Sequence, residues 1–107
     1  MSLDIELIDA DGAVVYSGNI THNLTTMAAE AGIYECLWRP DEHGITTASQ
    51  VVEPLAAGLD RMSRDQPKYK AFEASNGWGE LSDFLLFCAG YLEACRANPT
   101  ARVEVER

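Results

Sequence analysis

Leu3, Ile5 and Leu7 alternate with Asp4, Glu6 and Ile8, the period-two mark of a strand with one face buried. Asp9-Ala10-Asp11-Gly12 follows and reads as a turn, because Asp carboxylates bond the local backbone and Gly12 tolerates a positive φ. Ala13 to Ser17 is a second β-prone run, ending at Ser17-Gly18-Asn19. The three segments predict an antiparallel hairpin. A lone hairpin is marginal in water, so the rest of the chain must supply a covering layer or a further strand. That requirement constrains the fold more than any other feature of the sequence.

The remaining pattern meets it. Leu24, Met27, Ala28 and Ala31 fall at helical spacing between Thr21 and Ala31, with Thr21 or Asn23 as cap and Gly32 as the stop. Ile33 to Trp38 predicts another helical turn, ended by Pro40. Asp41-Glu42-His43-Gly44 is a polar loop, and Thr47-Ala48-Ser49-Gln50 fits a capping box. Val51, Val52, Leu55, Leu59 and Met62 form an apolar stripe. Pro54 inside that stripe predicts a kink or two abutting helices, since it removes a helical hydrogen bond. A short helix is expected over residues 67–73 and a loop at Ser75 to Gly79. A long helix runs from Glu80 through Leu81, Phe84, Leu85, Cys88, Leu92 and Cys95 to Asn98-Pro99. Arg102-Val103-Glu104-Val105-Glu106 alternates once more. The expected fold is α+β: a three-stranded antiparallel sheet, built from the N-terminal hairpin and the C-terminal strand, packed against three to four helices. At 107 residues, 1–107 reads as a single domain.

Charge is placed unevenly. Residues 1–60 hold ten acids and a single base, Arg39, whereas residues 61–107 hold seven of each, for a net charge of −9. Such a surface repels phosphate backbones, so direct nucleic-acid binding is disfavoured and basic partners are favoured. With 47% hydrophobic and 23% charged residues, the chain is not a disordered acidic tail. Cys36, Cys88 and Cys95 are an odd set. Cys88 and Cys95 stand two helical turns apart, about 10 Å between Cα atoms, beyond the ~7 Å reach of a disulfide. Reduced thiols in the cytoplasm are expected. The start, Met1 to Glu6, lacks the basic and apolar regions of a secretory signal, and no apolar run is long enough to span a membrane.

Five residues stand out as candidates for binding. His22 and Asn23 lie at a strand-to-helix junction rich in hydrogen-bonding side chains, where they either cap the helix or hold a small ligand. Trp38 and Arg39 are the pair of residue types most often found at interface hot spots. Trp78, between two glycines, is either a core plug or a partner anchor. No catalytic residue, metal site or cofactor is expected. His22 and His43 have no metal-ligand spacing, and no phosphate-binding glycine motif or nucleophile elbow occurs. Glu35 beside Cys36 disfavours a thiolate. Arg61, Arg64, Lys68 and Lys70, interleaved with Asp60, Asp65 and Glu73, read as a solvated face with local ion pairs.

The segments Asn19-Ile20-Thr21-His22-Asn23-Leu24, Met27-Ala28, Glu30-Ala31-Gly32-Ile33-Tyr34, Leu37-Trp38-Arg39-Pro40 and Asn76-Gly77-Trp78-Gly79 resemble small uncharacterised proteins of tailed bacteriophages and prophages. The resemblance spans roughly residues 19–97, with Pro54-Leu55 and Tyr91-Leu92-Glu93-Ala94-Cys95 in the same order. It implies a phage-encoded protein acting inside a bacterial host and assigns no catalytic residue.

The leading expectation is a non-enzymatic accessory protein that contacts a host or phage protein, or a second copy of itself in a homodimer. One alternative is a small-ligand-binding protein or enzyme with a pocket around His22, Asn23 and Arg39. Another is an acidic DNA mimic, which requires carboxylates in two exposed rows.

Overall fold

The computed structural model describes residues 1–73, 77 and 79–107. Strand β1 (Ser2–Ile8) and strand β2 (Val14–Thr21) form the expected hairpin, antiparallel from Ser2↔Thr21 to Leu7↔Tyr16, with a bulge between Leu7 and Ile8. Asp9 builds the turn. Its Oδ1 accepts from the amides of Asp11 and Ala13, both at 2.9 Å, while Gly12 takes φ 83°. β2 continues past Ser17-Gly18-Asn19 to Thr21, because β1 offers paired backbone as far back as Ser2. Strand β3 (Arg102–Glu106) pairs antiparallel with the other edge of β1, so the sheet order is β2-β1-β3.

The strand that opens the chain is thus the central one. Its alternation sends Leu3, Ile5 and Leu7 fully out of solvent and leaves Asp4 exposed and Glu6 half-buried on the opposite face. The helices cover only the apolar face.

Of the sequence from Thr21 to Ala31, only Thr25–Glu30 is α-helix (α1). His22–Leu24 is a 3-10 helix whose cap is Thr21, with Thr21 Oγ1 accepting from the Asn23 amide at 3.2 Å. α2 (Tyr34–Trp38) follows, and a second 3-10 helix over Pro40–His43 starts at the proline that stops it. α3 (Ala48–Arg64) opens with the Thr47/Gln50 box: Gln50 Oε1 accepts the Thr47 amide at 3.0 Å and the Thr46 amide at 2.7 Å.

Pro54 does not divide α3 into two helices. Val51 and Leu55, on either side of it, are both fully buried, and their packing holds the helix together across the missing hydrogen bond. α4 (Gln66–Lys70) is the short helix, and it begins and ends slightly earlier than the sequence suggests. α5 (Leu81–Ala97) is the long one. Among the described residues no helix is long and apolar enough to cross a membrane.

A single cluster of buried side chains joins sheet and helices, and a radius of gyration of 13.2 Å is that of a domain this long. α3 approaches the α1–α2 junction at Gly58. A Cβ placed there would lie 2.1 Å from Ile33 Cγ2, so only glycine permits the approach. α5 is tied to β2 by rings: Tyr16 stacks on Tyr91 at 5.3 Å, and Phe87 tilts against Tyr91 at 5.9 Å.

Candidate functional site

A cleft of about 840 Å³ opens where the end of β2, the first 3-10 helix and α5 meet. Asn19, Thr21, His22, Asn23 and Asp83 supply its polar lining, and Ile20, Leu24 and Phe87 its apolar one. His22 Nε2 is buried and has no hydrogen-bond partner among the described residues. The His22 backbone is fixed from both sides: its amide donates to Met1 at 3.3 Å, and its carbonyl accepts from Thr25 Oγ1 at 3.0 Å. The imidazole sits edge-on to Trp38, with ring centres 6.3 Å apart.

Two of the five sequence candidates, His22 and Asn23, therefore meet in this cleft, and Trp38 and Arg39 do not line it. Trp38 is 1% exposed. It stacks on Tyr34 at 5.7 Å with nearly parallel rings and belongs to the core, which corrects its reading as a surface anchor. Hydrophobic packing against Tyr34 and His22 outweighs any demand on the indole N–H, which is buried without a partner.

Arg39 points elsewhere: Nε donates to the Tyr34 hydroxyl at 3.3 Å and Nη1 to Glu42 at 3.0 Å. That ties it to a neighbouring carboxylate rather than to the cleft, so a pocket shared by His22, Asn23 and Arg39 is not formed. Trp78 lies outside the described residues, although Gly77 and Gly79 line the cleft.

The cysteines are structural. Cys36, Cys88 and Cys95 are all free and buried. Burial first, then the Glu35 charge, pushes the Cys36 thiol up to about 12, and burial raises Cys95 to about 11 and Cys88 also upward. Such thiols remain protonated and pack as small apolar groups. No group of three or more potential metal ligands converges among the described residues. Three of the four basic residues of α3 and α4 are engaged within the fold. Arg61 donates to the Ala31 carbonyl at 2.8 Å, Arg64 pairs with Asp60 at 2.9 Å, and Lys68 with Glu30 at 3.4 Å.

The bare face of the sheet is the more unusual surface. The β1–β3 register sets Asp4 directly opposite Glu106 and Glu6 directly opposite Glu104. All four carboxylates share one shallow hollow with Ser17, on the face the helices leave open. Directly opposed Cβ atoms in a sheet are about 4.5–5.5 Å apart, and like charges so placed destabilise the pairing. Partial compensation exists: Asn19 Nδ2 donates to Asp4 at 2.6 Å, and Arg102 pairs with Glu104 at 3.0 Å. Glu6 and Glu106 have no ion pair among the described residues.

Sequence reasoning missed this cluster. Dividing the charge by halves of the chain placed Glu104 and Glu106 in a neutral segment, and only the β1–β3 register brings them beside Asp4 and Glu6. The alternation of both strands was the available signal.

A second feature it missed is Arg107, which donates to the Trp38 carbonyl at 2.8 Å and to Asp41 at 3.0 Å. That hydrogen bond holds the Asp41 carboxyl below its ordinary value. Comparison with models of protein families, with curated proteins and with solved structures finds no match.

Proposed function

We propose that the chain is a non-catalytic binding protein whose open sheet face receives a basic segment of a partner protein. The observation that carries this reading is the pair of directly opposed carboxylate couples, Asp4/Glu106 and Glu6/Glu104, on a sheet face with no covering layer. Opposed like charges cost the free protein stability, and Lys or Arg side chains laid between them would turn that cost into attraction. The overall charge of −9 steers such a partner towards the surface from a distance. The residue pattern that resembles phage and prophage proteins supports a cytoplasmic setting in a bacterial host, with a host or phage protein as the partner.

The test is fluorescence anisotropy with a labelled Lys/Arg-rich peptide at low and moderate salt. The expected result is binding that weakens as salt rises and is lost in the double variant Glu6→Gln, Glu104→Gln. Equal binding by that variant would sink the proposal. If the partner is a DNA-binding protein, so that the carboxylates stand in for phosphates, duplex DNA will compete with the chain for it. The carboxylates fall in two short rows one strand spacing apart, about 5 Å, closer together than the two edges of even the ~6 Å minor groove, and this favours a basic peptide over a DNA-binding groove.

A second reading rests on the cleft. Its volume suits a small molecule, and His22, which lines it, holds a buried Nε2 with no hydrogen-bond partner among the described residues. His22→Ala separates the two roles of this residue. A retained fold with loss of a ligand found by screening supports the site, whereas lost stability alone assigns His22 to the architecture.

A further inference from the structure

Strand β2 is the outer strand on one side of the sheet, and among the described residues its backbone is paired only with β1. Its eight residues, Val14-Val15-Tyr16-Ser17-Gly18-Asn19-Ile20-Thr21, include no charged residue and no proline. Those are two of the devices by which sheet edges are kept from pairing; a third, a bulge, is confined to the start of the strand, between Val14 and Tyr16. Val14 and Val15 are 52% and 39% exposed. Behind the edge, on the helix side, stand Tyr16 and Phe87, each half-buried. Leu86, next to Phe87 on α5, is 74% exposed.

We propose that this edge docks a second copy of the chain, β2 against β2 in antiparallel pairing, to give a continuous six-stranded sheet. Charge selects the place: two copies that each carry −9 repel over most of their surface, whereas the β2 strand itself carries no charge, Asp83 of α5 being the acid that lines the cleft at its far end. Directly opposed residues in an antiparallel pair share a face, so the two-fold axis must pass through a residue rather than between two. Ser17 and Gly18 are the central choices. With the axis at Ser17, Val15 meets Asn19 of the second copy and Tyr16 meets Gly18. With the axis at Gly18, Val15 meets Thr21 and Tyr16 meets Ile20. No charge meets a charge in either register.

The size is sufficient for a specific, modest dimer. Eight residues extend about 26 Å. A sheet with one helix layer is about 20 Å deep. The footprint is then about 500 Å² on each copy, or about 1,000 Å² in total, which is the lower bound for a biological interface. This inference does not rest on the acidic-face reading, since it uses the free backbone edge of β2, which lies away from β1, although Ser17 also borders the β1–β3 hollow.

The experiment is sedimentation velocity on the full chain from about 1 μM to about 1 mM, with hydrogen exchange on the same samples. A monomer–dimer equilibrium is expected, with amides of Val14–Thr21 gaining protection as concentration rises. Val14→Glu and Val15→Glu, both at exposed positions outside the acidic hollow, each add like charge along the edge and should weaken the dimer by about tenfold or more. Circular dichroism identifies whichever variant keeps its fold, and that variant decides the matter. Glu104→Gln, on the far strand, leaves the dimer unchanged. A chain that stays monomeric throughout, or a dimer indifferent to a folded edge variant, overturns the proposal. Peptide binding by a strictly monomeric chain would overturn this inference alone and leave the proposed function standing.

Discussion

The two flanks of β1 are built on opposite principles. On the β3 side the strand is charged, with Arg102, Glu104 and Glu106, and its outer edge is occupied. The Val103 amide donates to the Thr46 carbonyl at 2.9 Å, Thr47 bridges Arg102, and Arg107 fastens the strand end to Trp38 and Asp41. On the β2 side the strand is uncharged and its outer edge bare. The contrast teaches that one edge is both charged and occupied, whereas the other has only the bulge between Val14 and Tyr16 to disturb pairing. In a protein with a single small sheet, the less protected edge is the one left for recognition. The four carboxylates of the acidic hollow all stand on β1 and β3, and β2 contributes only Ser17 to it.

The strongest way to break the comparison is to weaken the strand that both flanks share. Ile5→Ala should cost about 2–5 kcal/mol in urea unfolding, because Ile5 is fully buried between two neighbouring strands. Val105→Ala, half-buried at its partner position, should cost clearly less. A smaller loss is expected when the closed flank is opened. Arg107→Ala leaves the Trp38 carbonyl without its side-chain donor, at about 1–2 kcal/mol.

The same change alters the response to acid. The Asp41 carboxyl is held below its ordinary value of 3.8 by the hydrogen bond from Arg107. Its contribution is therefore present above that pH and is lost as pH falls through the depressed folded value. The gap between the acid titrations of the wild type and of Arg107→Ala should narrow at low pH to the part owed to the Trp38 carbonyl, and parallel curves would refute the link.

Smaller still, and opposite in sign, Glu6→Gln should stabilise by about 0.2–1 kcal/mol, with the gain shrinking in salt. Least of all at neutral pH, the thiols should be silent. Native protein at pH 8 should react slowly with a disulfide reagent, and fully once unfolded. Because the Cys36 and Cys95 values are raised from 9.0 to about 12 and about 11, the associated stability is complete below 9 and is lost as pH climbs through the folded values.

Local patterns carried the fold. The period-two alternation of Leu3-Ile5-Leu7, the Asp9 turn, the Thr47/Gln50 box and the spacing of Phe84, Cys88 and Cys95 each act within a few residues, and each was readable. Two misjudgements came from weighing a local rule against packing that had yet to be seen. Pro54 is overridden by the buried Val51 and Leu55, and the apolar stripe of Leu24, Met27 and Ala28 is divided between a 3-10 helix and α1. The candidate surfaces were less legible, because they depend on residues far apart in the chain. Asp4 meets Glu106, and Trp38 meets Arg107, only through the β1–β3 register and the path of α2. Trp38 and Arg39, adjacent in sequence, part company because one enters the core and the other stays at its rim.

The central place of β1 has a kinetic side. Its hairpin with β2 forms from neighbouring residues and can close early, whereas its other edge is filled by Arg102–Glu106, reached only after α3 and α5 have been made. During synthesis on the ribosome the nascent hairpin therefore exposes both of its margins at once. Asp4 and Glu6, unfavourable in the finished sheet, put charge on the strand whose second margin is filled last, the arrangement that blunts edge pairing.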